Sequence, residues 1–344
     1  MGRIKHKKED YMEALEFYRK ALEIQQKSLP SNHPDFAGTY NNMGSVYGNM
    51  GEYSKALDFY RKTLEIQQDL LPSNHQNLVT TYNNIGLAHK NMKEHPRALE
   101  FYQKALEIQQ KSLPSNHRDF ATTYNNIASA HYNMNEYSNA LSFYKKALKI
   151  YQKSFPQDHS YLATIHHNIG SVHKDMGDYS KALEYFQTAL EIREKSLPLN
   201  HPDMATIYSS MGLVYVKMEQ YSKALEFYQK ALDIQQKSLS PDDPNLAITY
   251  HNIASTYYTM EEYLKVLEFF NKTLEIQQKF LPSNHPDMAA LYYYIGLVYH
   301  HMKEDSIALS FFERAVEIGQ ISLPENHSNL ELYRKDLYKL QHEL

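Results

Sequence analysis

The sequence predicts an all-α fold, a right-handed α-α superhelix of helix-turn-helix repeats. Three observations carry this: a proline that returns every 42 residues, two distinct apolar stripes within each interval, and the lack of any strand-like alternation. The prolines are Pro30, Pro72, Pro114, Pro156, Pro198, Pro282 and Pro324, with Pro241 one place late in the remaining interval. Histidines keep step at His33, His75, His117, His159, His201, His285 and His327, and Asp243 fills the vacant slot. Fixed spacing is the mark of modules that stack, since each must meet its neighbour in the same way.

The elements follow in order. Residues 8–33, around "EDYMEALEFYRKALEIQQ", read as a lone second helix (helix B) of a truncated repeat. Its own first helix (helix A) is missing, so an apolar end is expected there, either because the chain is a fragment or because it self-associates through this end. Seven repeats come next: 34–75, 76–117, 118–159, 160–201, 202–243, 244–285 and 286–327. In the first, helix A ("DFAGTYNNMGSVYGNM", 35–50) is apolar at Phe36, Tyr40, Met43 and Tyr47, and Gly51 signals its end. Helix B ("SKALDFYRKTLEIQQDLLP", 54–72) places Ala56, Leu57, Tyr60 and Leu64 on one stripe. Its outer face carries pairs such as Glu100–Lys104, Glu107–Lys111 and Glu226–Lys230 in equivalent helices, in the favourable i,i+4 order. Residues 328–344 are more charged, lack the mid-helix glycine and asparagines of the A helices, and read as a capping helix. The expected domain is one solenoid, 1–344.

The connecting stretch "SLPSNHPDF" (28–36) reads as punctuation. Proline suits the first helical position, where its missing N–H would be unpaired anyway. Asp35 suits the positive end of the helix dipole. Replacing the histidine by Asp243, a strong capping residue, keeps the capping chemistry and would break a metal site. Equivalent histidines should also lie two helices apart, at about 8–10 Å per helix, whereas metal–nitrogen bonds are about 2 Å. No metal or other cofactor is expected.

Composition narrows the function. A formal net charge of −4 with 22% charged residues does not suggest a nucleic-acid binder. Cysteine is absent, which excludes cysteine-ligated zinc and a cysteine nucleophile. No apolar run approaches the roughly 18 residues of a membrane helix, so no membrane partner is expected and a cytoplasmic location is. "HHNIGSVH" (166–173) contains three histidines, but His166 and His173 stand where other repeats have interior tyrosines. There is no HExxH, P-loop, GxGxxG or GxSxG pattern, and no enzymatic activity is expected.

Thirty tyrosines and no tryptophan complete the picture. Tyr40, Met43-Gly44, Tyr47, Tyr53, Ala56, Tyr60 and Thr63 recur by type at the same places in later repeats. This pattern resembles the tetratricopeptide repeat in its long 42-residue form, with tyrosine in place of the usual tryptophan. The Leu-Pro end of helix B and the Asn-His-Pro-Asp start of helix A are similar in style to kinesin light chain repeats. The resemblance implies a concave groove lined by A helices, with the position two after the early aromatic facing it. That position holds Asn42, Asn84, Asn126, Asn168 and Asn252, with Ser210 and Tyr294 as departures. Asn49, Asn91 and Asn133 lie further along, Lys90, Lys174 and Lys217 add charge, and Tyr258 and Tyr294 suggest an aromatic pocket near the C-terminal end. Asparagine amides can bond an extended backbone without demanding a particular side chain. The expected function is a non-catalytic scaffold for a peptide segment of a partner protein, the segment having an aromatic anchor and nearby acids. Two alternatives are implied: a cargo adaptor that meets kinesin heavy chain, and the regulatory arm of a larger enzyme or signalling protein. Solvation, or bonding to the adjacent helix, is the competing role for the asparagines.

Overall fold

The computed structural model describes residues 2–156, 159–198 and 200–343. Met1 and Leu344, the limits of the expected solenoid, lie outside them. The described residues form sixteen helices and no strand. In order they are α1 (Gly2–Ser28), α2 (Pro34–Asn49), α3 (Tyr53–Leu70), α4 (Gln76–Asn91), α5 (His95–Ser112), α6 (Asp119–Asn133), α7 (Tyr137–Ser154), α8 (Ser160–Asp175), α9 (Tyr179–Ser196), α10 (Pro202–Lys217), α11 (Tyr221–Ser238), α12 (Pro244–Thr259), α13 (Tyr263–Phe280), α14 (Pro286–His301), α15 (Asp305–Ser322) and α16 (Ser328–Glu343). The chain divides into two compact units, Gly2–Ser196 and Leu197–Leu344. Within each, helices pair as A with B, and each B also packs on the next A. No helix among the described residues is long and apolar enough to cross a membrane.

The punctuation is built as the sequence suggests. His33 adopts an extended backbone, and its Nδ1 accepts the N–H of Asp35 at 3.3 Å, while Pro34 opens α2. His75, His117, His159, His201, His285 and His327 make the same bond two residues on. Asp243 makes it with Oδ1 at 3.0 Å. Each such bond satisfies one of the N–H groups that a helix start leaves over. The A-to-B turn ends in a left-handed residue. Gly51 takes φ +79°, and the N–H of Glu52 returns to the carbonyl of Tyr47 at 2.9 Å, closing a Schellman motif. Gly177 repeats the device, whereas Lys93, Asn135, Glu219, Glu261 and Lys303 hold the same conformation with a side chain attached.

The pairing of A with B rests on a ring seated against a glycine. A Cβ on Gly44 would lie 2.6 Å from the ring of Tyr60, and one on Gly86 2.5 Å from that of Tyr102. Phe186, Tyr228 and Phe312 occupy the same place against Gly170, Gly212 and Gly296. Close approach therefore offsets the roughly 1 kcal/mol by which glycine disfavours a helix interior. Ala56, Ala98, Ala140, Ala182, Ala224 and Ala308 are fully buried across the interface. Of the expected outer-face pairs, Glu226–Lys230 forms at 2.7 Å, while the Lys104 ammonium lies over the rings of Tyr82 and Phe101.

The two ends differ from the interior. On α1, which packs on α2, Phe17 is 62% exposed and Tyr18 half-buried. On α16, Tyr338 stands at the glycine position and is 64% exposed.

Candidate binding face of the A helices

Neighbouring A helices meet in a constant register. Asn84 on α4 donates to Asn41 Oδ1 on α2 at 3.0 Å, and Asn168 on α8 donates to Asn125 Oδ1 on α6 at 3.2 Å. Tyr132 on α6 donates to the Asp175 carboxylate on α8. In the second unit His301 Nε2 lies 3.0 Å from the Tyr258 hydroxyl, and Tyr293 donates to Asp336 at 2.5 Å. Each pair is separated by 43 residues, one repeat plus one position. Two members of the asparagine row, Asn84 and Asn168, thus bond across the seam between successive A helices.

Seen one by one, the expected residues fall into three groups. Asn84, Asn126, Asn168 and Asn252 are half-buried along the seam, and Asn42 is exposed. Asn49, Asn91 and Asn133 are exposed as the last residues of α2, α4 and α6. Among the lysines, Lys174 pairs with Asp175 at 3.1 Å, Lys90 points its ammonium at Ser129 Oγ, and Lys217 is exposed. Burial lowers the proton affinity of Lys90. Tyr258 packs edge-on against Tyr263 and His301. Tyr294 is 44% exposed beside His251 and Phe270.

Two clefts open at equivalent junctions. The first, about 320 Å³, lies between α2, α3 and α4 and is lined by Gly38, Asn41, Leu70, Thr80 and Thr81 among others. The second, about 440 Å³, lies between α12, α13 and α14 and is lined by Ile248, His251, Phe280, Ala290, Leu291, Asp287 and Tyr294. Burial holds the His251 imidazole below its usual range, which favours the neutral ring. The equivalent His167 on α8 is pushed down to about 4, by burial first and by Lys174 and Arg193.

The tetratricopeptide-repeat profile matches six overlapping stretches, residues 1–69, 35–111, 77–153, 119–195, 203–279 and 246–321. The chain belongs to the tetratricopeptide-repeat family. No curated protein matches it. Among solved structures this repeat protein is similar to BtubC (BKLC) from P. vanneervenii, at 21% identity over 67% of this chain and 91% of that one, with a TM-score of 0.56. It is also similar to nearly identical TPR-like repeats of a putative kinesin light chain from Podosopora anserina (20% identity, 60% of this chain and 98% of that one, TM-score 0.51). A third likeness is to a chain of the APC/C hetero-tetramer Cut9-Hcn1 (18% identity, 96% of this chain and 52% of that one, TM-score 0.59). At these identities the likeness is one of fold.

Sequence reasoning passed over several features of this repeat protein. His89, His131 and His300, at the ends of A helices, hold Glu94, Glu136 and Asp305 at 2.6 Å across the turn. The His89 bond comes first among the causes that hold the Glu94 carboxyl below its ordinary range. His166 and His173 pack on the ring of Tyr185, as interior residues should. Phe280, Ile248 and Asp287 were not singled out. A signal existed: the last position of helix B is serine at Ser28, Ser112, Ser154, Ser196, Ser238 and Ser322, and departs only at Leu70 and Phe280. Those two departures mark the two clefts.

Proposed function

We propose that this tetratricopeptide-repeat protein is a non-catalytic scaffold that holds an extended segment of a partner protein along its A helices. The observation that carries this reading is the bonded asparagine seam. An amide has two N–H donors and a carbonyl acceptor. In Asn84 and Asn168 one N–H goes to the neighbouring repeat. That bond fixes the orientation of the group and leaves hydrogen-bonding capacity for a ligand backbone. Pre-set polar groups reduce the ordering that binding would otherwise require. The net charge of −4 gives no support for a nucleic-acid partner.

The test is a peptide-array screen followed by titration of the hits. Replacing Asn84, Asn126 and Asn168 by alanine should weaken binding at least tenfold, about 1.4 kcal/mol in total. Unchanged affinity for every hit removes the asparagine reading.

A second reading is a kinesin light chain-like cargo adaptor. Its support is the 42-residue repeat style and the fold shared with the Podosopora anserina repeats. Co-purification with a kinesin heavy chain tests it, and failure to bind would leave the general scaffold reading in place.

A further inference from the structure

We propose that the cleft between α12, α13 and α14 is a socket for a large apolar side chain of the partner segment, and that the residue beside this anchor is a lysine or arginine meeting Asp287. The inference rests on the scaffold reading and adds the chemistry of its occupant.

The lining is apolar where the fold does not need it to be. Ile248 is 58% exposed, Phe280 38% and Tyr294 44%. Their equivalents at the α2–α4 junction are Gly38, Leu70 and Asn84, and at α4–α6 they are Thr80, Ser112 and Asn126. Threonine, serine and asparagine therefore satisfy the same backbone positions. Three large side chains kept in water around one hollow point to a ligand, since isolated exposed apolar residues are ordinary but a rimmed apolar hollow is not. The volume, about 440 Å³, falls in the range of about 300–1,000 Å³ seen for ligand pockets.

A second observation is independent of the first. At several other junctions a threonine hydroxyl donates to the glutamine near the end of helix B: Thr39 to Gln25 Oε1 at 3.1 Å, and Thr81 to Gln67 Oε1 and Thr249 to Gln235 Oε1 at 2.7 Å, whereas Gln109 Oε1 is left without a donor although Thr123 holds the threonine position. At this junction the threonine position is Leu291. Gln277 Oε1, in the cleft wall, is buried and receives no protein hydrogen bond. A buried acceptor without a donor is unfavourable by about the strength of a desolvated hydrogen bond. A backbone N–H of the bound segment supplies the missing donor, which favours a peptide over a purely hydrocarbon occupant.

Charge selects the flanking residue. Asp287 lines the cleft with its carboxylate largely exposed. Lys279, beside Phe280 at the end of α13, is engaged by Asp242 at 2.6 Å and Glu275 at 3.4 Å. His285 Nδ1 lies 3.7 Å from the Asp287 carboxylate, but it accepts the Asp287 N–H that caps α14 and so offers that carboxylate no proton. The mouth is left with a carboxylate, which attracts a cation and repels an acid. This reverses the acidic flank expected from the sequence.

The probe is a random dodecapeptide phage library panned on the full chain, with the enriched sequences made as capped peptides and titrated by calorimetry. Enriched peptides should carry an aromatic or long aliphatic residue next to lysine or arginine. The variant I248T/F280S/Y294N installs residues that other repeats carry at those positions, so it should fold, which circular dichroism checks. It should bind at least tenfold more weakly, and the milder F280S severalfold more weakly. D287N should lose the preference for lysine over glutamate beside the anchor while keeping the apolar preference. Peptides that bind wild type and I248T/F280S/Y294N within twofold, or anchors flanked by acids, overturn the socket. If those peptides respond instead to the alanine variants of Asn84, Asn126 and Asn168, the socket falls and the scaffold reading stands. No enrichment at all overturns both.

Discussion

The α2–α4 and α12–α14 junctions are built on the same positions, 210 residues apart, yet present different surfaces. Pro34 and Pro244, Ala37 and Ala247, Gln67 and Gln277, and Leu71 and Leu281 are shared. Around them Gly38 becomes Ile248, Asn41 becomes His251, Thr80 becomes Ala290, Thr81 becomes Leu291 and Asn84 becomes Tyr294. Frame and lining are thus separable. The frame is set by caps, glycine–ring contacts and buried alanines, and the lining can change from amide and hydroxyl to apolar and aromatic without touching it.

The strongest way to break the comparison is to attack the frame. Gly44→Val and Gly296→Val drive a branched side chain into the rings of Tyr60 and Phe312. Each should destabilise its unit by about 3 kcal/mol, read as faster hydrogen exchange in the flanking helices. A large effect at one site and less than about 1 kcal/mol at the other would mean the two frames are not equivalent.

Acidification comes next, because histidine replaces Asn41 in two later repeats. Burial lowers the pKa of His167 to about 4 and that of His251 in the same direction. The unfolded chain then binds more protons than the folded one below the ordinary histidine range. Their contribution is complete above about pH 6.5 and is lost as pH falls, for His167 towards pH 4. Urea titrations at pH 7 and pH 5 should show a loss that His167→Asn and His251→Asn each reduce. An unchanged pH dependence in both variants would show that the rings are not held neutral by burial.

A transplant sharpens the comparison further. G38I/N41H/L70F/T80A/N84Y copies most of the second lining onto the first cleft, and a Cβ at Gly38 meets nothing within 4 Å. The grafted protein should gain a second site for the enriched peptides, with affinity within about tenfold of the first. A stoichiometry that stays at one site in calorimetry would show that the frame contributes more than the lining suggests.

The smallest effect concerns the turns. Glu219 holds φ +58° where Gly51 holds +79°. Glu219→Gly should stabilise the protein by about 0.5–1 kcal/mol, the left-handed strain relieved less the greater freedom of unfolded glycine. A lower melting temperature would contradict this.

Much of the architecture could be read from the residues, because stacking demands repetition and repetition is visible. Pro34, His33 and Gly51 mark boundaries by local chemistry that needs no tertiary knowledge. Gly44 was legible as a close approach, but its partner Tyr60 needed the packed helices. The candidate face was less legible. That Asn84 bonds to Asn41 depends on the stagger between successive A helices, which no single repeat contains. Phe280 breaks the row of serines that end the B helices, but a phenylalanine at the end of an amphipathic helix looks like core, and its exposure is what shows that it is not. The orphaned Gln277 Oε1 lies at a junction where Leu291 removes the threonine hydroxyl, and neither residue taken alone shows it.

The contacts between helices fall at a few fixed separations. Thr81 reaches back 14 residues to Gln67, Thr63 reaches 26 back to the carbonyl of Ala37, and Asn84 reaches 43 back to Asn41. Excising residues 76–117 would bring Thr123 to the place of Thr81, opposite Gln67, with its hydroxyl in hand. A cut one residue shorter would rotate every later side chain by about 100° around its helix. Length is therefore a quantity that duplication or unequal crossing-over can change in whole steps, while any fractional step ruins the downstream register.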